Sequence, residues 1–113
     1  MNKQLAHLIY EYLMQGKLDV VKYIIENQVK EMYFNTFFNQ TVNGISVTKA
    51  VTVVDFEDGS RIIKEIIKPS FRLGVLRKSW ILESKEFLSE IKDKESYSTV
   101  EDPTDKVHWL LNL

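Results

Sequence analysis

The sequence predicts an α+β domain: an N-terminal helical hairpin, a three- to four-stranded antiparallel β-meander, and one or two C-terminal helices. Three observations predict it. Apolar residues recur at helical spacing over the first quarter of the chain, and the turn dipeptides Asn43-Gly44 and Asp58-Gly59 punctuate an alternating stretch. Helical spacing then returns after Trp80. With 113 residues, 44% apolar and 27% charged, the chain has the size and composition of one globular domain rather than a disordered tail. Its expected divisions are a helical hairpin over 2–29, a meander over 32–75 and a helical segment over 79–113.

Leu5, Leu8, Ile9, Tyr12 and Leu13 form one stripe on an α-helix, with Asn2 as N-cap and Gly16 as the left-handed residue that ends it. Asp19 then caps a second helix that turns Val20, Val21, Ile24 and Ile25 inward. Residues 16–26, from Gly16-Lys17-Leu18-Asp19 to Ile24-Ile25-Glu26, resemble the second-helix stretch of an ankyrin repeat. An ankyrin fold stacks several such units, and neither a Thr-Pro-Leu-His nor a second copy is present, so the resemblance implies a helical hairpin and no function.

Asn-Gly and Asp-Gly favour two-residue type I′ loops, whose central positions both need φ > 0. Such a loop at Asn43-Gly44 sets Val42 opposite Ile45, Gln40 opposite Val47, Phe38 opposite Lys49, Thr36 opposite Val51 and Phe34 opposite Val53. Phe34, Phe38, Val42, Ile45, Val47, Val51 and Val53 then share one face, and Tyr33, Phe37 and Val54 the other. A like loop at Asp58-Gly59 sets Val53 opposite Lys64 and Val51 opposite Ile66. Val29, Met32 and Tyr33 would also suit a longer second helix, but Phe, Tyr, Thr and Asn enrichment over 28–39 favours strand. Pro69 ends the third strand, and 71–75 alternates as a short fourth. Trp80, Ile81, Phe87, Leu88 and Ile91 keep helical spacing behind Ser79 or Ser84, residues 92–102 read as a polar loop, and Asp102-Pro103 opens a last helix.

Enzyme templates fail mostly by absence. There is no cysteine, so disulfides, thiolate nucleophiles and sulfur-bound zinc are excluded. The four glycines are too scattered for a dinucleotide or P-loop fingerprint, and no other cofactor motif is present. His7 and His108 stand at opposite ends, and Glu11 one turn from His7 makes a helix-surface pair more readily than a metal site. Asp55, Glu57 and Asp58 read as turn chemistry, and Glu83, Glu86 and Glu90 as a solvated helix face. No apolar run approaches the ~20 residues of a membrane helix, and the start leads into an amphipathic helix instead of a secretory leader, so a cytoplasmic protein without a membrane partner is expected.

The formal charge of −1 conceals a gradient. Residues 45–80 carry seven basic groups against four acidic ones, and residues 81–113 four against eight. Twelve lysines against three arginines, with ten isoleucines, match the composition of a low-GC bacterial or phage protein. Two function classes follow. The first is a small, non-enzymatic intracellular protein-binding module acting as a regulator, inhibitor or accessory factor. Its partner is a protein, a second copy of the chain included, and Tyr33, Phe37, Trp109, Leu110 and Leu113 are its anchors, because surplus aromatic surface marks interfaces. The alternative is a nucleic-acid-binding regulator using Lys68, Arg72, Arg77, Lys78 and Trp80, whose cations and indole suit phosphate and base.

Overall fold

The computed structural model describes residues 5–71, 74–82 and 96–111, the side chains at 103 and 109–111 excepted. Helices α1 (Leu5–Met14) and α2 (Leu18–Gln28) precede strands β1 (Val29–Val42), β2 (Ile45–Phe56), β3 (Arg61–Pro69), β4 (Arg77–Leu82) and β5 (Ser98–Thr99), and α3 (Pro103–Leu111) closes the chain. The sheet is antiparallel, in the order β4-β3-β2-β1-β5. The class is α+β as the periodicities predict, with five strands in place of three or four.

Gly16 ends α1 at φ +73°, with Lys17 N donating to Tyr12 O at 2.9 Å and Gly16 N to Leu13 O at 3.2 Å, the paired bonds of a Schellman turn. The start of α1 is held from a distance. Leu5 N donates to Asp58 Oδ2 at 2.8 Å and Ala6 N to Ser60 Oγ at 2.9 Å, so the β2–β3 turn caps the helix. Asn2, the expected cap, lies outside the described residues. In α2 the position before the helix is Lys17, without a side-chain cap, and Asp19 sits in the first turn, where a negative charge complements the helix dipole. Val21 and Ile25 are buried, whereas Val20 turns outward. Asp102 caps α3 as expected, accepting from Thr104 N at 2.8 Å.

Both hairpins depart from the simple register. Asn43 and Gly44 have φ of +50° and +77°, so the first loop is the expected type I′ turn and Val42 pairs with Ile45. Beyond Gln40–Val47 a bulge intervenes, with Asn39 at φ +57°, and the pairing moves by one residue to Phe37–Lys49 and Tyr33–Val53. At the second turn Gly59 alone takes a positive φ, +85°, while Gly59 N bonds Phe56 O and Phe56 N bonds Ser60 O. That is a three-residue loop with a glycine bulge, which sets Val53 opposite Ile63 and Val51 opposite Glu65. Residues 29–39 are strand from Val29 onward. The expected fourth strand at 71–75 is instead β4 at 77–82, which takes Trp80 and Ile81 out of the expected helix; Phe87, Leu88 and Ile91 lie outside the described residues.

The shifted register buries both faces of the sheet. On one, Ile9, Val21 and Ile25 of the helices pack on Met32, Val54, Phe56 and Ile62, with Phe34, Trp80 and Leu82 at the margin. On the other, Tyr33, Val51, Val53 and Ile63 lie under Tyr97, with Phe37 and Ile81 beside them. Each fully buried side chain contributes about 1.5–3 kcal/mol. Val54 therefore faces the helices, and Tyr33 and Phe37 share the face of Val51 and Val53. Asn39 decides this division, because a left-handed position costs most residues about 1–2 kcal/mol that asparagine and glycine largely escape. Asn39→Gly should leave the unfolding midpoint unchanged or raised, and Asn39→Val should lower stability by about 1–2 kcal/mol, read by urea denaturation.

Candidate functional site

Strand β3 reads Ile62-Ile63-Lys64-Glu65-Ile66-Ile67, with all six residues buried. Alternation sends Lys64 to the helix face and Glu65 to the other. Lys64 is 1% exposed, between Thr52 and Trp80 in the register, with its Nζ 4.9 Å from the centre of the Trp80 ring. Burial, and then the charge of neighbouring Lys78, lower its pKa from 10.5 to about 7. An amine of that pKa is partly neutral at physiological pH. Enclosed by side chains, it offers no approach to a substrate.

Glu65 is held from two sides, by Lys49 Nζ at 3.3 Å and by Arg77 at 3.2 Å. Nearer the helical end, Arg61 donates two bonds to Asp55, at 2.5 and 3.2 Å, and the Tyr33 hydroxyl donates to the same carboxylate at 3.1 Å. Burial and the Asp55 charge push the Tyr33 phenol well above its ordinary range, so it stays protonated. These clusters tie strands together.

The concave feature with a coherent lining lies at the far end of the sheet. Val42 and Ile45, flanking the type I′ turn, join Ile67 and Leu76 around a groove of about 220 Å³ with Asn43 and Arg77 on its rim. Leu76 N bonds Ile67 O at 2.8 Å and Ser70 N bonds Ser46 O at 3.0 Å, so the segment after β3 is pinned to the hairpin. Around this tip Phe71 is 89% exposed, Phe38 67% and Val75 54%, with Ile45 and Leu76 also well exposed. Phe38 adjoins the bulge at Asn39 and lies on the opposite face of β1 from Phe37, away from the groove.

Of the expected protein anchors, Tyr33 is buried and Phe37 half-buried within the second core. The side chains of Trp109 and Leu110, and all of Leu113, lie outside the described residues. Of the expected nucleic-acid contacts, Lys68, Arg77 and Lys78 are exposed along β3 and β4, and Arg77 also holds Glu65. Trp80 packs against the helix-side core under Lys64, and Arg72 lies outside the described residues. His7 lies 3.2 Å from Glu11 on the open side of α1, and among the described residues no group of three or more potential metal ligands converges. No helix among them is long and apolar enough to cross a membrane. The burial of Lys64 and the capping of α1 by Asp58 are the two features the sequence reading does not reach. Isoleucines on both parities of β3 are the signal of a strand buried on both faces, which would have placed Lys64 and Glu65 inside.

Comparison with protein-family models, with curated proteins and with solved structures finds no match for this chain.

Proposed function

We propose that this chain is a small, non-enzymatic protein-binding module, an intracellular regulator, inhibitor or accessory factor, that docks through the tip of its long β1–β2 hairpin. One observation carries the proposal: Ile45 and Leu76, both exposed, line an aliphatic groove at the tip with Val42 and Ile67, and Phe71 and Val75 stand exposed in the segment pinned to the hairpin. An exposed aliphatic groove rimmed by polar groups is costly in water and typical of an interface, and a groove that can seat one anchor side chain is where binding energy concentrates. The two groups with strongly displaced ionisation, Lys64 and Tyr33, are both enclosed, which further favours binding over catalysis.

Site-specific photo-crosslinking tests this. With p-benzoylphenylalanine in place of Phe71, irradiation in a bacterial lysate should yield a discrete adduct with another protein. The same probe in place of Lys30, exposed at the start of β1, should not. Ile45→Asp together with Leu76→Asp should suppress the adduct without changing the circular dichroism of the fold. Equal adducts from both positions, or none from position 71, would remove the tip from consideration.

A further inference from the structure

We propose that Asn43 is a covalent modification site, at which the Gly44 backbone nitrogen displaces the Asn43 side-chain amide and leaves the hairpin tip with a carboxylate. The chemistry is independent of the docking role and needs only water. Gly44 N bonds to Asn43 Cγ, the Cγ–Nδ2 bond breaks, and ammonia leaves with the amide proton of Gly44. Water then opens the cyclic imide. Opening at Cγ gives aspartate, whereas opening at the main-chain carbonyl leaves Gly44 joined through Cγ, as isoaspartate. Asparagine is thermolabile by this route where its side chain is unheld and the next residue is small.

The structure singles out Asn43 among the described asparagines. Its neighbour is glycine, both residues are exposed, and the space beside Gly44 where a side chain would stand is open. Among the described residues no hydrogen bond holds the Asn43 side chain. Asn27 donates to Tyr23 O at 2.8 Å and precedes Gln28. Asn35 donates to Ser96 Oγ at 3.2 Å and accepts from Thr36 N at 2.8 Å, so the nitrogen that would attack is itself engaged. Asn39 precedes Gln40 instead of a glycine. The other turn of this kind, Asp58-Gly59, is clamped, because the Asp58 carboxylate accepts from Leu5 N and Ser60 N. Ring closure requires the type I′ loop to open. Between the bulge and the loop β1 is held to β2 only by Gln40–Val47, Thr41–Ser46 and Val42–Ile45, a short ladder that can open without the rest of the sheet. The product matters to the tip. Asn43 lies on the rim of the groove, and isoaspartate adds a main-chain carbon to a loop whose two residues both need φ > 0, which disturbs the Val42–Ile45 pair.

The test incubates the full folded chain in mildly alkaline heavy-oxygen water and maps its peptides by mass spectrometry, with fragmentation that separates aspartate from isoaspartate. Asn43 should lose its amide and gain one heavy oxygen several times faster than Asn27, Asn35 or Asn39, with isoaspartate as the larger product. Asp58 should stay aspartate in the folded chain and yield isoaspartate in urea, where its clamp is gone. Amide chemical shifts of Val42 and Ile45 should move as the isoaspartate accumulates, while those of Tyr33 and Val53, beyond the bulge, hold still. Asn43→Gly, which keeps the left-handed loop, should leave the Val42 and Ile45 shifts constant over the same incubation. An Asn43 amide that outlasts those of Asn27 and Asn35 would overturn the proposal. Heavy oxygen found in aspartate alone, with no isoaspartate at position 43, would overturn it too, because direct hydrolysis bypasses the Gly44 nitrogen.

Discussion

Lys64→Met is expected to make the chain more stable at pH 7 and to remove most of the stability it gains between about pH 7 and pH 10. The folded-state pKa of Lys64 is about 7, against 10.5 for an ordinary lysine. Between those values the unfolded chain binds a proton that the folded chain does not, so unfolding stability rises with pH, by up to about 1.4 kcal/mol per pH unit. Above the unfolded value both states are neutral and the gain is complete; below pH 7 both are charged and the whole penalty, on the order of a few kcal/mol, is present. Methionine keeps the length of the side chain and its contact with the Trp80 ring without the ammonium. Urea denaturation of both proteins at unit pH steps from 6 to 10 reads the effect as the difference between the two stability curves. Parallel stability curves would show that Lys64 does not titrate in this window. Lys78, which adds to the depression, supplies a second handle: Lys78→Met should raise the Lys64 pKa and narrow the window.

The two N-terminal helices, β1 to β3 and α3 were legible because each rests on local chemistry, whereas β4 and the short β5 were not. Gly16, Asn43 and Gly44 occupy the left-handed positions their types foretell, and Asp102-Pro103 opens α3 as the capping pattern requires. What was not legible came from single-residue events that reverse a whole strand face. Asn39 takes a left-handed turn that no alternation pattern announces, and Asp58 gives up the positive φ that a type I′ loop would demand of it. The slip at Asn39 puts Tyr33 and Phe37, in place of Phe34, on the face of Val51 and Val53, and the slip at the second turn sets Ile63 instead of Lys64 opposite Val53. The tip groove was hidden for another reason. It joins Val42 and Ile45 to Leu76 through the β2–β3 pairing, a conjunction of residues far apart in sequence that neither period reveals.

Asp58 is expected to be the most costly polar residue to truncate, because one carboxylate serves three donors. Its Oδ2 accepts from Leu5 N at 2.8 Å, and its Oδ1 from Ser60 N and Ser60 Oγ at 2.9 and 2.5 Å. Ser60 Oγ, oriented by that bond, accepts in turn from Ala6 N. Asp58→Ala therefore strips the cap from α1, loosens the serine that supplies the next contact and removes a negative charge from a helix N-terminus. Caps contribute about 0.5–2 kcal/mol and charge-assisted bonds about 1.5–3, so a loss of about 2–3 kcal/mol follows. Ser60→Ala should cost about 1–2 kcal/mol, and the double variant less than the sum, since both act through one cap. Glu57→Ala, at an exposed neighbour in the same turn, should fall within about 0.5 kcal/mol of the parent. Hydrogen exchange gives the local reading: amides at the start of α1 should lose protection in Asp58→Ala before the strands do. If Asp58→Ala matched Glu57→Ala in both measurements, α1 would be anchored by its apolar face alone. The β2–β3 turn would then be a connection between strands and no longer the clasp that sets the helices on the sheet.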